Sequence, residues 1–488
     1  MAKPGVSSIL SQTEKNNTFQ IHANGADFFI SIIFVNSKGQ IRPIQRLEYN
    51  KIVFEHSYLS PFQVGQLQLI DNEQQSKFNA VLSPKDEVVD DYETLGDGAE
   101  FIVLKIDQQT YTNRCRRVRI VDDVFVTKNS ENSSEMGVNY VNHYFTQADA
   151  AALLYSKWVF STCDYIDPVG HNQERISQLS GDQKTIKVSD AVRHLLEEYC
   201  TPTSGQPIIN EQQWRDSTSK IEYTSPQGDT PINALFDIMS KYISTDTNDP
   251  GFLFKYGGLY ELRSFTDLIN DAVDIVNNNI KFKKYFAGVV TIERDDTRVE
   301  YSKQEAESIF NGHPSVPVKL SDIELHNRQG EAAVDLIVNH SITSYDIASK
   351  TFNLYNQSGS VDSVVSSFSI NKYPDRDDKT LNVNKANNTK ANKNNQFNLE
   401  TANDSSEHYG RAILIHKILQ NSDTMTINTL GNLNMTGGKF LGVKMEGLKE
   451  NMRAKNIPGL WMILDHTTTL ADGEYSTSLY TTKVDKFL

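Results

Sequence analysis

Cysteine is scarce: Cys115, Cys163 and Cys200 are the only three in 488 residues. They are widely spaced and form no CxxC pair, so neither a disulfide framework nor a zinc knuckle is supported. All three read as reduced, mostly buried thiols. Long apolar runs are also missing, since none approaches the ~20 residues of a membrane helix. The opening "MAKPGVSSILSQTEKNNTFQ" has no extended apolar core of the signal-peptide kind. No membrane insertion is expected, and folding is expected in the cytoplasm of the cell that makes the chain. Positive charge is in deficit, with 48 basic against 62 acidic side chains and a formal charge of −14. An acidic surface repels phosphate, which disfavours stable nucleic-acid binding and suits a surface that nucleic acid passes without sticking.

Catalytic signatures are absent as well. The 11 histidines form no HExxH, and His22, His56, His143, His171 and His194 are scattered. No GxxxxGK[ST] occurs, no GxGxxG opens a helix after a strand, and no GxSxG elbow is present. Carboxylate pairs such as Asp90-Asp91, Asp122-Asp123 and Glu197-Glu198 are adjacent residues, read as structural. Near the C-terminus, Asp465 and His466 stand side by side in "GLWMILDHTTTLADGEYSTSLYTTKV". Neighbouring strand positions face opposite ways, so the pair is expected to be part of a closing hairpin and not a catalytic dyad. No catalytic residue, cofactor or metal ligand is expected.

What is present is β patterning around a mixed middle. From Asn17 to about Val126, short apolar runs are punctuated by Gly, Asn and Asp, and "GQLQLID" alternates Leu67 and Leu69 with Gln66 and Gln68. The pattern then changes. Thr146 with Asp149 predicts a capping box for "TQADAAALLYSKWVF", and Ser189 an N-cap for "SDAVRHLLEEYC". Thr230 and Pro231 open "TPINALFDIMSKYI", with Ile232, Leu235, Phe236, Met239 and Ile243 as its apolar face. "PGFLFKYGGLYELRSF" predicts a hairpin turning at Gly257-Gly258. Strands return from Val289. They are interrupted by an Asn-rich loop, residues 375–408, and a helix near 409–421.

The length allows roughly three or four domains. The expected fold is α+β, mainly β, with two small antiparallel β-barrel tube domains flanking an α+β insert. The expected divisions are an N-terminal extension with an added strand or hairpin (1–48), a first barrel (49–130), the insert (131–288) and a second barrel (289–488). The one basic cluster, Arg114, Arg116, Arg117 and Arg119, reads first as a solvated strand, second as a candidate interface for an acidic neighbouring subunit, and third as a nucleic-acid contact, since four arginines are few against a net −14.

Four stretches, in order, resemble the central baseplate hub protein of contractile-tailed, T-even-like bacteriophages. They are "NKIVFEHSYLSPFQVGQLQLIDN", "NYVNHYFTQADAAALLYSKWVFSTCDY", the run from "KVSDAVRHLLEEY" through "IEYTSPQGDTPINALFDIMSKYI" to "DPGFLFKYGGLYELRSFTDL", and "IPGLWMILDHTTTLADGEYSTSLYTTKV". The resemblance spans about Tyr49 to Leu488 as segment order, leaving out the N-terminal extension and the Asn-rich loop. It implies a homotrimer whose two barrels per chain form a pseudo-sixfold ring. Its implied partners are the tail tube protein, the central spike protein, baseplate wedge proteins and phage DNA passing through the lumen. It implies no catalysis and a place in the virion, after assembly in the host bacterial cytoplasm. Against it stand a cell-envelope polymer hydrolase and a carbohydrate-binding tail-tip protein.

Overall fold

The computed structural model describes residues 17–24, 26–36, 41–71, 100–110, 118–135, 138–155, 185–200, 207–221, 223–226, 229–247, 249–277, 284–293, 315–327, 340–346, 351–357, 416, 419, 423–445 and 457–484. The chain is mainly β, with helices gathered in its middle. Eight strands come first: β1 (Phe19–Ala23), β2 (Ala26–Asn36), β3 (Ile41–Pro43), β4 (Tyr49–Ser57), β5 (Val64–Asp71), β6 (Glu100–Thr110), β7 (Val118–Glu135) and β8 (Val138–Gln147). A mixed unit follows: α1 (Ala148–Tyr155), β9 (Ile186–Lys187), α2 (Val188–Cys200), β10 (Ile209–Trp214), β11 (Lys220–Ile221), α3 (Pro231–Met239), β12 (Gly251–Tyr256), β13 (Leu259–Ser264) and α4 (Phe265–Val276). Then come β14 (Phe286–Glu293), β15 (Val316–Lys319), β16 (Ile323–Asn327), β17 (His340–Asp346), β18 (Thr351–Gln357), β19 (Asp423–Leu430), β20 (Phe440–Met445), β21 (Gly459–Ala471) and β22 (Glu474–Lys483).

The first β region runs in the order β1-β2-β6-β7-β8-β5-β4, all antiparallel. The N-terminal extension (1–48), expected to add a strand or hairpin, supplies β1 to β3 from its described residues. β2 pairs along its whole length with β6 and is therefore interior to the sheet. The region also continues past position 130, through β8 to Gln147. One face of these strands encloses a core of Ile21, Phe28, Ile30, Ile52, Phe54, Leu67, Leu69, Leu104 and Ile106, which Leu470 and Tyr475 of the last hairpin complete. The sheet curls until Ala23 meets Gly473 in an isolated bridge, with the Gly473 N–H donating to the His22 carbonyl at 2.8 Å.

In the second β region the order is β15-β14-β20-β21-β22-β19-β16, curled around Val290, Val318, Met425, Ile427, Leu441, Trp461, Ile463 and Leu479. Here β14 is parallel to both neighbours, β15 and β20, while the other ladders are antiparallel. The two regions join where β4 pairs with β21, giving one 15-stranded network. Two separate closed barrels are not found among the described residues. The reason lies in β21, whose 13 residues are long enough to pair with β20 and then β4 along a single edge.

The mixed unit has its own core of α1, α2 and α3 side chains around Trp214, Tyr260 and Leu262. Ala191, Val192, Leu195 and Leu196 of α2 are buried as their helical spacing requires. Three local expectations change. Thr146 lies within β8, one residue before its end, and donates its hydroxyl to the Gln63 carbonyl, while Asp149 accepts from Lys255 Nζ at 2.6 Å and the Tyr260 hydroxyl at 2.5 Å, so no capping box forms. Ser189 lies inside the first turn of α2 and exchanges hydrogen bonds with Ser217. Phe236, expected on the buried face of α3, is exposed. Gly257 and Gly258 turn the β12–β13 hairpin with φ of 58° and 85°, the left-handed pair that a two-residue hairpin turn requires. The Asn-rich loop lies outside the described residues, as does most of the helix near 409–421, of which His416 and Leu419 are described as helical.

Candidate functional site

The sequence of β21 changes character halfway, and the structure changes with it. "GLWMIL" is continuously apolar because both faces are covered. Trp461 and Ile463 enter the second core, while Leu460, Met462 and Leu464 meet Phe252, Phe254, Phe265 and Leu268 of the mixed unit. "DHTTTLA" alternates because one face is open: His466, Thr468 and Leu470 are buried, and Asp465 is exposed. The change of partner falls between these halves. A bulge separates Ile463 from Asp465, and beyond it Asp465 sits opposite Ser57 and His466 opposite His56.

A small basic cluster occupies this seam. The His56 and His466 ring centroids are 6.3 Å apart. Gly437 donates its backbone N–H to His56 Nδ1 at 3.0 Å, whereas His466, 2% exposed, makes no hydrogen bond through either ring nitrogen. Burial pushes the His466 ring down to about 4, with Lys439 opposing protonation and the His56 carbonyl favouring it. His56 is partly exposed as a residue, but its ring lies deep; burial, then His466 and Lys439, push it down to about 3. Lys439 is itself lowered to about 8 by burial, and its ammonium donates to the Asn434 carbonyl at 2.7 Å. Gly437 allows the close approach, because a Cβ there would stand 2.6 Å from Tyr58 N and 2.9 Å from the Leu464 carbonyl oxygen.

A second polar cluster ties the mixed unit to the strand that follows it. Glu261 of β13 is fully buried and accepts from Asn210 at 2.7 Å, from the Tyr285 hydroxyl at 2.7 Å and from Lys284. Arg263 and Asp271 form an ion pair at 2.5 Å with both side chains buried, and the Tyr285 ring lies 4.6 Å from the guanidinium. Burial raises the Asp271 carboxyl against the pull of Arg263. Asp267 closes a capping box with Ser264 and takes a fork from Arg215 at 2.8 and 2.9 Å. Burial alone would raise its carboxyl; the Arg215 fork and the Ser264 N–H overcome this and hold it below the usual value.

The expected site residues fall as follows. Asp465 and His466 lie on opposite faces of β21, so they do not form a dyad. Arg114, Arg116 and Arg117 lie outside the described residues, and Arg119 is in β7 opposite Asp107 of β6. Among the described residues, no group of three or more His, Cys, Asp or Glu is placed to hold a metal ion, and no helix is long and apolar enough to cross a membrane. Cys200 is buried, and burial first, then Asp149, pushes its thiol up to about 12, which makes it unreactive. The partners His56 and Lys439 of the seam were missed, as was helix α4 with its Ser264–Asp267 box, although "SFTD" carries that signal in plain view.

No family model matches the chain, and no curated protein matches it. Among solved structures, it is similar to a tail protein from Neisseria meningitidis MC58 (10% identity, 93% of this chain and 96% of that one, TM-score 0.44). It is also similar to the 43 kDa tail protein of prophage MuSo2 from Shewanella oneidensis (10% identity, 94% and 99%, TM-score 0.41). A third is the E. coli c3393 protein, described as a component of the type VI secretion system with structural similarity to T4 bacteriophage tail proteins gp27 and gp5 (8% identity, 89% and 73%, TM-score 0.36).

Proposed function

We propose that this chain is the structural hub of a phage tail baseplate. Three copies form a ring joining the tail tube protein to the central spike protein, with baseplate wedge proteins around it and phage DNA passing through the lumen unbound. It works in the virion without catalysis or cofactor. The observation that carries this reading is the fusion, edge to edge, of two curled β regions of one chain through β4 and β21. Two such regions held in fixed relation let a threefold assembly offer six similar positions, and a ring of this kind closes through heterologous contacts. The order of the segments resembling the hub family agrees with it. The net charge of −14 suits a passage for a polyanion. Arg114, Arg116, Arg117 and Arg119 remain the candidates for contact with an acidic neighbouring subunit.

Mass photometry of the purified chain, alone and with tube or spike protein, tests the assembly, and negative-stain class averages test its shape. A trimer or larger ring with a central hole is expected. A stable monomer under all these conditions would overturn the hub. Incubation with peptidoglycan should release nothing, and clear hydrolysis would replace this reading with an envelope-degrading enzyme.

A further inference from the structure

We infer that the His56–His466 pair is an acid-operated latch: taking up protons at these two rings parts β4 from β21 and uncouples the two β regions. The geometry is that of a closed joint in which, among the described residues, no carboxylate acts on either ring; the one group favouring the proton on His466 is the His56 carbonyl, and burial outweighs it. The rings face each other across the β4–β21 ladder, at the bulge where β21 exchanges β20 for β4. From each surrounding element, the facing groups are as follows. Across β22, His466 is opposite Leu479, which is apolar. From the turn before β20 comes Lys439, a cation. From the segment after β4 comes the Pro61 carbonyl, which favours the proton on His56 only as the smallest of the influences on that ring. The neighbouring carboxylates, Glu55 and Asp465, are exposed on the other face of their strands. His416 is also buried and lowered to about 4, but it packs on Tyr58 and Phe252, in the separate cluster under the mixed unit.

The sign follows from linkage. Both rings bind protons less readily in the closed seam than in an open one, where their ordinary value near 6.5 returns. Closing is therefore unaffected above that value and is progressively lost as pH falls toward about 4. Each ring raises the opening constant by about tenfold per pH unit in this window, so two rings raise it by about a hundredfold per unit.

Hydrogen–deuterium exchange of the full chain from pH 7.5 to 4, corrected for intrinsic exchange rates, reads this opening directly. Peptides of β4 and β21 should keep their protection above about pH 6.5 and lose it below, with a slope near two in log opening constant per pH unit. The β12–β13 hairpin should keep its protection over the same range. His56→Leu or His466→Leu should each reduce the slope to about one, and the double variant should abolish it. If a variant does not fold, the wild-type slope and its confinement to the seam still decide the matter. A flat profile overturns the latch, as does loss of protection at β4 and β21 only together with the β12–β13 hairpin. A slope of two that survives in the double variant overturns it equally.

Discussion

In the mixed unit, Glu261, Arg263 and Asp271 are buried with an opposite charge beside each, while the seam gathers His56, His466 and Lys439 with no carboxylate among them in the described residues. Both clusters lie where parts of the chain are joined, and they use opposite means. The first sets opposite charges side by side, with hydrogen bonds to Glu261 from Asn210 and Tyr285 and the Tyr285 ring beside Arg263. The second keeps its rings neutral through burial. A paired buried charge fixes one geometry, because removing either partner strands the other. A neutral buried imidazole holds its place only while protons are scarce. The mixed unit is thus built to stay docked, and the seam is the joint whose strength depends on conditions.

The sharpest way to break this contrast is Asp271→Ala, which leaves the Arg263 guanidinium buried beside the Tyr285 ring without its carboxylate. A loss of about 3–5 kcal/mol is expected, read by urea unfolding followed at the mixed unit. The joint replacement Arg263→Met with Asp271→Leu should recover most of it, because no charge then remains to be satisfied. If the single and joint changes cost the same, the pair contributes packing and not charge.

Local signals made much of this legible. The switch from "LWMIL" to "DHTTTLA" marks where β21 passes from two covered faces to one, and Gly257-Gly258 marks the hairpin. Mainly β character with a helical middle followed from the same patterns. What sequence could not give was pairing at a distance. His56 and His466 are separated by most of the chain, and nothing near either announces the other. The joining of two β regions into one network follows from the register of β4 on β21, which no local period encodes. Local rules also failed where tertiary contacts outbid them: the Thr146 hydroxyl goes to Gln63 and the Asp149 carboxylate to Lys255 and Tyr260, so a good capping sequence caps nothing.

At the seam, Gly437→Ala should cost about 1–3 kcal/mol by overpacking, since its Cβ would meet backbone of Tyr58 and Leu464 that cannot swing aside. The loss should show as earlier melting of β4 and β21, with the mixed unit unchanged. His466→Leu should act in the opposite direction from Asp271→Ala. It removes two buried nitrogens that make no hydrogen bond, so a gain of about 1 kcal/mol is expected at pH 7. The gain should grow as pH falls below 6.5, because the unfolded wild-type ring takes a proton that the folded one, lowered to about 4, refuses. Thermal melts at pH 7.5 and 5 check both statements, and a loss at both values would mean that the ring is held by contacts its nitrogens do not reveal.

The same charges placed at the surface give the smallest effect and set the scale for the rest. Arg46 and Asp472 approach to 2.5 Å and link the turn that leads into β4 to the turn that closes β21, but their side chains are 37% and 58% exposed. Water already solvates both, salt screens their attraction, and holding two side chains in one geometry costs entropy. Arg46→Ala should therefore cost no more than about 1 kcal/mol, and the cost should vanish in 1 M salt. The neighbouring bond from the buried Tyr49 hydroxyl to the Leu470 carbonyl, 2.6 Å long, joins the same two segments out of solvent. If Arg46→Ala proves as costly as Asp271→Ala, burial is not what separates the two kinds of pair, and the contrast between a docked unit and a yielding seam loses its physical basis.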